Sequence, residues 1–306
     1  MALHRLSSVT IGVPEPEPVA SYYAEFGLSR GDDLSFSTLD GGRQLLVQQA
    51  PTRRLVEMVV GVDDHDDLAR VGATLTAAGH HPDLEDDALR VVEPETGVQV
   101  VLQVSPRITQ RPPAATETYN VPGRADRLGR RSPAVLRNDR VRPRKLGHVV
   151  ITTTNVSATS AFFTDLIGFK VSDYIGDVGV FLRCSTDHHN LLVLEAPIVY
   201  LHHTAWQVDD IDEVGRGASA LLEGHPERHV WGLGRHHAGS NFFWYLRDPA
   251  GNYSEYYADL DVIPEDEAWI PESHGGHLGL YNWGPMPPDV FLHPDDLMEL
   301  AEKQRS

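Results

Sequence analysis

Cysteine is almost missing from this chain: Cys184 is the only one in 306 residues. A lone thiol excludes an intrachain disulfide framework, and nothing in the composition suggests a small secreted domain held by staples, so a reducing compartment, the cytoplasm, is expected. Long apolar runs are missing as well. No segment approaches the roughly 18 residues that a membrane-spanning helix needs, and Met1 to Gly12 lacks the charged stretch and apolar core of a secretory leader. Positive charge is scarce, with 26 Lys and Arg against 44 Asp and Glu and a formal net charge of -18. Nucleic acid and anionic membranes are met by clustered Lys and Arg, so neither is expected as a partner. Cys184 has no base at a nucleophile's spacing and reads as a small core residue. Gly232-Leu-Gly234 lacks the third glycine and the following helix of a dinucleotide fingerprint.

What is present is enough apolar material, 41% of residues, for more than one core. Eleven of the 26 basic residues fall between Arg107 and Lys145, a stretch that reads as a linker whose charges form a solvated face or a salt-bridging belt. On either side of it the order of elements repeats. Residues 6 to 13 read as a strand, Pro18 to Phe26 as a helix ending at Gly27, and Leu34 to Thr38 and Arg43 to Gln48 as strands. The second half repeats this with a strand at 146 to 153, an amphipathic helix from Val156 to Ile167 closed by Gly168, and strands at Val180 to Arg183 and Asn190 to Glu195.

Each half then runs through a second such unit. Leu55 to Val62 matches Leu201 to Val208; both continue into Asp-Asp, which supplies an N-cap for the helices Asp66 to Ala78 and Ile211 to Leu222. The last strands follow Pro94-Glu-Thr-Gly97 and Pro249-Ala-Gly251.

Three strand-like runs of the second half carry His148, His203 and Glu255. Two imidazoles and one carboxylate are the ligand set of a non-haem Fe(II) site with open positions. Side chains alternate along a strand, so one inward residue from each run can converge. His202 is then expected to point away from the face of His203. Strand alignment sets Ser8, Glu57 and Val101 of the first half opposite these three, so the repeated scaffold does not itself require the triad.

The repeat, together with the ordered blocks Leu146-Gly-His148-Val-Val-Ile, Arg183-Cys-Ser-Thr-Asp-His188-His189, Leu201-His-His203-Thr-Ala-Trp, Gly234-Arg-His236 and Tyr245 to Glu255, resembles the two-domain extradiol catechol dioxygenases of the vicinal oxygen chelate superfamily. The resemblance covers about residues 4 to 260. It implies an α+β fold of tandem paired βαβββ modules forming two half-barrels. The N-terminal domain, 1–106, would lack the metal site; 107–145 would link it to a catalytic domain, 146–260; the irregular segment 261–306 lies beyond the resemblance and reads as a tail or lid. The resemblance further implies Fe(II), or alternatively Mn(II), bound by His148, His203 and Glu255, with His189 rather than His188 as the acid/base histidine. Tyr245 would hydrogen-bond the substrate hydroxyl and His236 would contact substrate or oxygen. A small aromatic diol and O2 would be the reactants, in a homo-oligomer.

Relatives that cleave acidic catechols carry a polar amide two residues after the first ligand, where this chain has Val150. With Trp206, Phe242 and Trp244 close in sequence, an apolar or fused-ring catechol, or a hydroquinone, is expected. The spacing of His274-x-x-His277, around Gly275-Gly276, reads as a surface loop. A glyoxalase-like isomerase or lyase, a keto-acid dioxygenase and a metal-free ligand-binding protein are the rival readings on this scaffold.

Overall fold

Two twisted sheets carry the repeat in the computed structural model, which describes residues 3–113, 118–265 and 267–305. The first sheet is built from β1 (Leu3–Val13), β2 (Ser29–Arg30), β3 (Ser35–Thr38), β4 (Gly42–Gln49), β5 (Arg54–Val62), β6 (Asp83–Leu84), β7 (Ala88–Val92) and β8 (Gln99–Val104), with helices α1 (Pro16–Glu25) and α2 (His65–Ala77). The second contains β9 (Lys145–Thr153), β10 (Lys170–Ile175), β11 (Gly179–Arg183), β12 (Leu191–Glu195), β13 (Leu201–Gln207), β14 (His229–Arg235), β15 (Phe242–Arg247) and β16 (Tyr253–Ala258). Its helices are α3 (Val156–Ala161) and α4 (Ile211–Leu222). The strand orders are β2-β3-β4-β1-β5-β8-β7-β6 and, read the same way, β10-β11-β12-β9-β13-β16-β15-β14. The fold is α+β, as expected.

The tail adds to the second sheet instead of forming another module. A ninth strand, β17 (Glu272–His274), pairs parallel to β10 at the edge, and two short helices follow, α5 (Asp289–Leu292) and α6 (Leu297–Arg305). The helix expected from Val156 to Ile167 is α-helical only to Ala161 and continues as a π-helix, Phe162–Ile167. The wider turn packs Phe162 and Phe163 into the core before Gly168, at φ 102, ends it. The Asp-Asp pairs cap as anticipated: Asp64 accepts from Asp67 N and Asp210 from Glu213 N.

Register shows how closely the halves correspond. In the second sheet Ala205 lies opposite both His148 and Glu255, and His203 opposite Val150. In the first, Val59 lies opposite both Ser8 and Val101, and Glu57 opposite Thr10. Ser8, Glu57 and Val101 therefore occupy the places of His148, His203 and Glu255. Arg90, opposite Val101, stands where Tyr245 stands opposite Glu255, and its guanidinium meets the Glu57 carboxylate at 3.2 Å. That half has a small apolar patch of Val59, Ala88 and Val101 and an internal ion pair at this place.

The basic stretch acts as a belt, four of its residues (114–117) lying outside those described. Arg107 pairs with Asp63 and Glu265, Arg137 with Asp210, and Arg144 with Asp40 and Asp209. No described helix is long and apolar enough to cross a membrane.

One apolar core runs through both halves. Helix α1 presses Tyr22, Tyr23 and Phe26 onto the back of β13 and β16. Phe26 stacks on Tyr256 with centroids 3.9 Å apart, and Trp206 meets the edges of Tyr23 and Phe26. Tyr22 bonds Ser254 Oγ at 2.5 Å, and Tyr23 bonds Thr204 Oγ1 at 3.3 Å. Tyr256, Ser254 and Thr204 flank Glu255 and His203 in sequence and point to the opposite face, so the first half braces the strands that carry the triad. Phe26→Ala should lower unfolding free energy by about 3–5 kcal/mol, measured by denaturant titration of circular dichroism.

Candidate metal centre

Strands β9, β13 and β16 are neighbours, and each delivers one polar side chain to the same point on the concave face. The turn before β16 fixes the register of the last. Asp248 accepts from the amides of Ala250 and Asn252 and from Asn252 Nδ2, while Gly251 supplies the φ of 92° that the reversal requires. Burial pushes the Asp248 carboxyl up to about 6 against those donors.

His148 Nε2 lies 3.1 Å from Glu255 Oε2, His203 Nε2 lies 3.5 Å from the same oxygen, and the two nitrogens are 3.4 Å apart. Three ligands at about 2.1 Å and at right angles around one ion are separated by about 3 Å, so this spacing is that of one face of an octahedron. Among the described residues these three donors lie mutually within 4.8 Å, with no fourth His, Cys, Asp or Glu among them. The other face is left to solvent or substrate.

The charge balance also calls for a cation. Glu255 is fully buried, and its partners are neutral or imidazole: Asn241 Nδ2 donates to Oε1 at 3.0 Å, and among the described residues neither Lys nor Arg pairs with it. A buried carboxylate is costly unless paired. Burial and the neighbouring imidazoles hold His203 well below the usual histidine range, so it does not provide the missing charge. Two imidazoles and one buried carboxylate at this spacing fit a divalent ion.

His202 departs from expectation. A β-bulge between Leu201 and His203 places two residues of β13 against one of β9, and the extra residue, His202, turns toward the same cavity instead of away from it. Its Nδ1 lies 2.7 Å from His203 Nδ1 and its Nε2 lies 2.8 Å from the Phe291 carbonyl. The carbonyl can only accept, so His202 Nε2 carries a proton. Burial pushes this imidazole down to about 4, so it is neutral and its Nδ1 is an acceptor. His203 Nδ1 must then donate, which leaves the lone pair on Nε2 facing Glu255 and His148. Among the described residues nothing accepts from His148 Nδ1.

The remaining expected residues ring this point. His189 is fully buried, with its ring 4.2 Å from that of His148. Burial, followed by the neighbouring His148 and His188, holds it well below the ordinary range, so it is neutral at pH 7. His188, also buried, points out of the cavity toward Asp173 at 3.0 Å. Tyr245 donates to His236 Nε2 at 2.8 Å, because His236 Nδ1 is committed to the Leu280 carbonyl. Burial and then Glu255 push the Tyr245 phenol well above its usual value and keep it protonated. Cys184 is a buried free thiol whose pKa burial also raises.

A cavity of about 880 Å³ opens from the triad, with Val150, Phe181, Leu192, Trp231 and Phe291 forming much of its apolar wall. The aromatics expected there do not contribute. Trp206 is in the core beneath the sheet, Phe242 lies against Arg235 and Trp283, and Trp244 meets His229. Alternation along the strands sends them to the other face. His274 is no loop residue: it sits on β17, lines the cavity and meets Asp173 at 3.3 Å, whereas His277 is exposed. Tail residues also form the outer wall of the cavity, through Leu280, Phe291 and His293. Asn241 and Asp173 carry polar roles here that no motif singled out.

A family model for the Glyoxalase/Bleomycin resistance protein/Dioxygenase superfamily matches residues 145–256. Metapyrocatechase 2 of Cupriavidus necator is 35% identical over 230 residues, 74% of this chain and 68% of that protein. The chain belongs to the extradiol ring-cleaving dioxygenases of this superfamily. An iron-dependent extradiol dioxygenase of Rhodococcus jostii is 29% identical over 140 residues, 41% of this chain and 46% of that one. The fold also matches the Mn(II)-bound glyoxalase from Novosphingobium aromaticivorans, with a TM-score of 0.71 and 25% identity over 95% of this chain and 97% of that one. Iron and manganese are thus the ions of extradiol relatives and fold neighbours, in keeping with this donor set.

If the imidazole pair sets the His203 tautomer, His202→Phe, which keeps a ring but removes the acceptor, should weaken metal binding by about 10- to 100-fold. Competition against a chromogenic chelator measures the change, with folding checked by circular dichroism.

Proposed function

We propose that this chain inserts both atoms of O2 into a neutral catechol bearing an apolar substituent or fused ring, at Fe(II) or Mn(II) held by His148, His203 and Glu255. The observation that carries the reading is the triad itself: three buried donors at facial spacing, without a fourth, opening into an apolar cavity beside a neutral histidine. A glyoxalase-type site ordinarily engages a fourth protein ligand. The cytoplasm, where Fe(II) stays reduced, is the compartment that suits such a site, and the one cysteine agrees with it.

When bound, the ion would serve as template and Lewis acid for a substrate and dioxygen in its open positions. The protein residues do the rest. His189, neutral and with Nδ1 occupied by His188, presents Nε2 to the cavity as a base for a catechol hydroxyl. Tyr245 and His236, on the other side of Glu255, offer a phenol and an imidazole edge to the substrate oxygens. Asn241 orients the Glu255 carboxylate. Val150 and Phe181 flank the base, and Trp231 and Phe291 the far wall, so the ring is held by apolar contact and water is excluded. No Lys or Arg lines the cavity among the described residues, while Asp177 and Glu195 do; a carboxylated catechol would find no cationic partner.

The test is anaerobic loading with Fe(II) or Mn(II), followed by a catechol panel in air with oxygen uptake and ring-fission absorbance recorded together. Neutral alkyl- or aryl-substituted catechols should exceed carboxylated ones at least tenfold in kcat/KM, and one O2 should be consumed per ring. No oxygen uptake with any member and either metal overturns the reading. His189→Asn should lower kcat by about 100-fold or more while metal content stays at the wild-type level.

A further inference from the structure

The stretch of chain from α5 to α6 is tied down by an arginine of the other half. Arg53 sits in the loop just before β5, with its side chain only 2% exposed. Its Nε and Nη2 donate to the two carboxylate oxygens of Asp296 at 2.6 and 2.8 Å, and its Nη1 donates to the Leu201 carbonyl at 2.8 Å. The guanidinium lies over the Tyr200 ring, 5.1 Å from its centroid, and a Cβ placed on Gly251 would come within 3.5 Å of Arg53 Nε. One side chain of the half without the triad thus meets the start of β13, the turn that sets β16 and the residue before α6.

This pair is a clasp rather than a surface contact. A guanidinium shielded from water needs its carboxylate, because losing the partner leaves an uncompensated buried charge, and the two-pronged geometry fixes orientation as well. Among the described residues Asp296 is the only carboxylate paired with Arg53. The other ion pairs of this stretch, Arg247 with Asp295 at 3.2 Å and Lys303 with Glu299 at 2.6 Å, are exposed and hold little. Upstream the chain is fixed at the Val290 carbonyl, which accepts from Tyr253 Oη at 2.5 Å, and at the Phe291 carbonyl, which accepts from His202. Leu292 and His293 lie between these anchors and Asp296, and both line the cavity. Leu292 is 43% exposed, so the span is the rim where the cavity meets solvent. It is held at both ends.

We propose that Arg53 is a positioning residue for substrate selection: by clasping Asp296 it keeps Leu292 and His293 in place as the wall that receives the substituent of a catechol bound at the triad. The inference rests on the dioxygenase reading of that site. A benzene ring is housed by a cavity of about 150 Å³, and this one offers about 880 Å³. A bare catechol seated at the triad therefore stops short of the rim, whereas an aryl substituent extends toward it. Loosening the span withdraws contact from the substituted ring alone. The half without the triad acts on selection through one side chain.

The test uses the full chain loaded with whichever of Fe(II) and Mn(II) supports oxygen uptake, assayed with catechol and with 3-phenylcatechol. Wild type is compared with Arg53→Met, Asp296→Asn and Asp295→Asn, and each is also exposed to chymotrypsin, with the cuts located by mass spectrometry. Arg53→Met, which fills similar space without a charge, and Asp296→Asn should raise KM for 3-phenylcatechol at least tenfold while KM for catechol and both kcat values stay within threefold of wild type, the pattern of lost binding that is shared by ground and transition states. Metal content should stay at the wild-type level, because the Val290 and Phe291 anchors remain, and cleavage between Leu292 and Leu300 should speed at least tenfold. Asp295→Asn, which breaks the exposed neighbouring pair, should match wild type in both assays. Asp296 is partly exposed, so Asp296→Asn carries the result if Arg53→Met does not fold. A wild-type KM for 3-phenylcatechol, an equal rise for both catechols, or an unchanged cleavage rate in the folded variants overturns the inference and leaves the dioxygenase reading intact. Absence of O2 uptake by wild type with both metals and both catechols overturns that reading and the selection with it.

Discussion

A carboxylate buried, among the described residues, without a guanidinium or ammonium partner is the constraint around which the second half of this chain is organised. Glu255 sits fully shielded on a central strand, and the polar groups that reach it include an amide and imidazoles. Such a group costs several kcal/mol unless a cation neutralises it. The first half makes the contrast concrete: at the equivalent register Val101 replaces the carboxylate, and the acid that remains, Glu57, is matched internally by Arg90. One sheet resolves its charge within the protein; the other leaves it for an ion.

Precision at that point comes from layers of support. The face of β13 and β16 opposite the triad is packed by α1 of the other half, so His203 and Glu255 stand on strands held from behind by stacked aromatics and buried hydroxyl contacts. On the near side, paired histidines repeat a single device. His202 with His203, and His188 with His189, each join two Nδ1 atoms, and in each the outer ring reaches a fixed acceptor, a carbonyl in one case and a carboxylate in the other. The two pairs differ in the charge on that last acceptor, a neutral carbonyl behind His202 and a carboxylate behind His188.

Much of this was legible in the sequence because it depends on period and order. Alternation placed His148, His203 and Glu255 on one face, the Asp-Asp caps marked α2 and α4, and the glycine turns set the register that equates Val101 with Glu255. What escaped was set by local departures from those periods or by distant contacts. The bulge that turns His202 into the cavity has no residue signature on β13, and strict alternation therefore sent it the wrong way. Trp206, Phe242 and Trp244 were near the site in number but on the far face in space. Asn241, Asp173 and the carbonyls of Leu280 and Phe291 contribute through chain segments far from their partners, or through backbone atoms that are the same for every residue type.

That last point gives the C-terminal segment two separable jobs. Its grip on His202 and His236 is made by main-chain oxygens, at Phe291 and Leu280, whereas its share of the cavity wall is made by side chains at those same positions. Side chains can be exchanged there without deleting either anchoring oxygen. A lineage, or an engineer, can therefore reshape what the cavity admits by point substitution in the tail while the groups that orient the histidines come along unchanged; only a shift of the backbone itself would disturb both together.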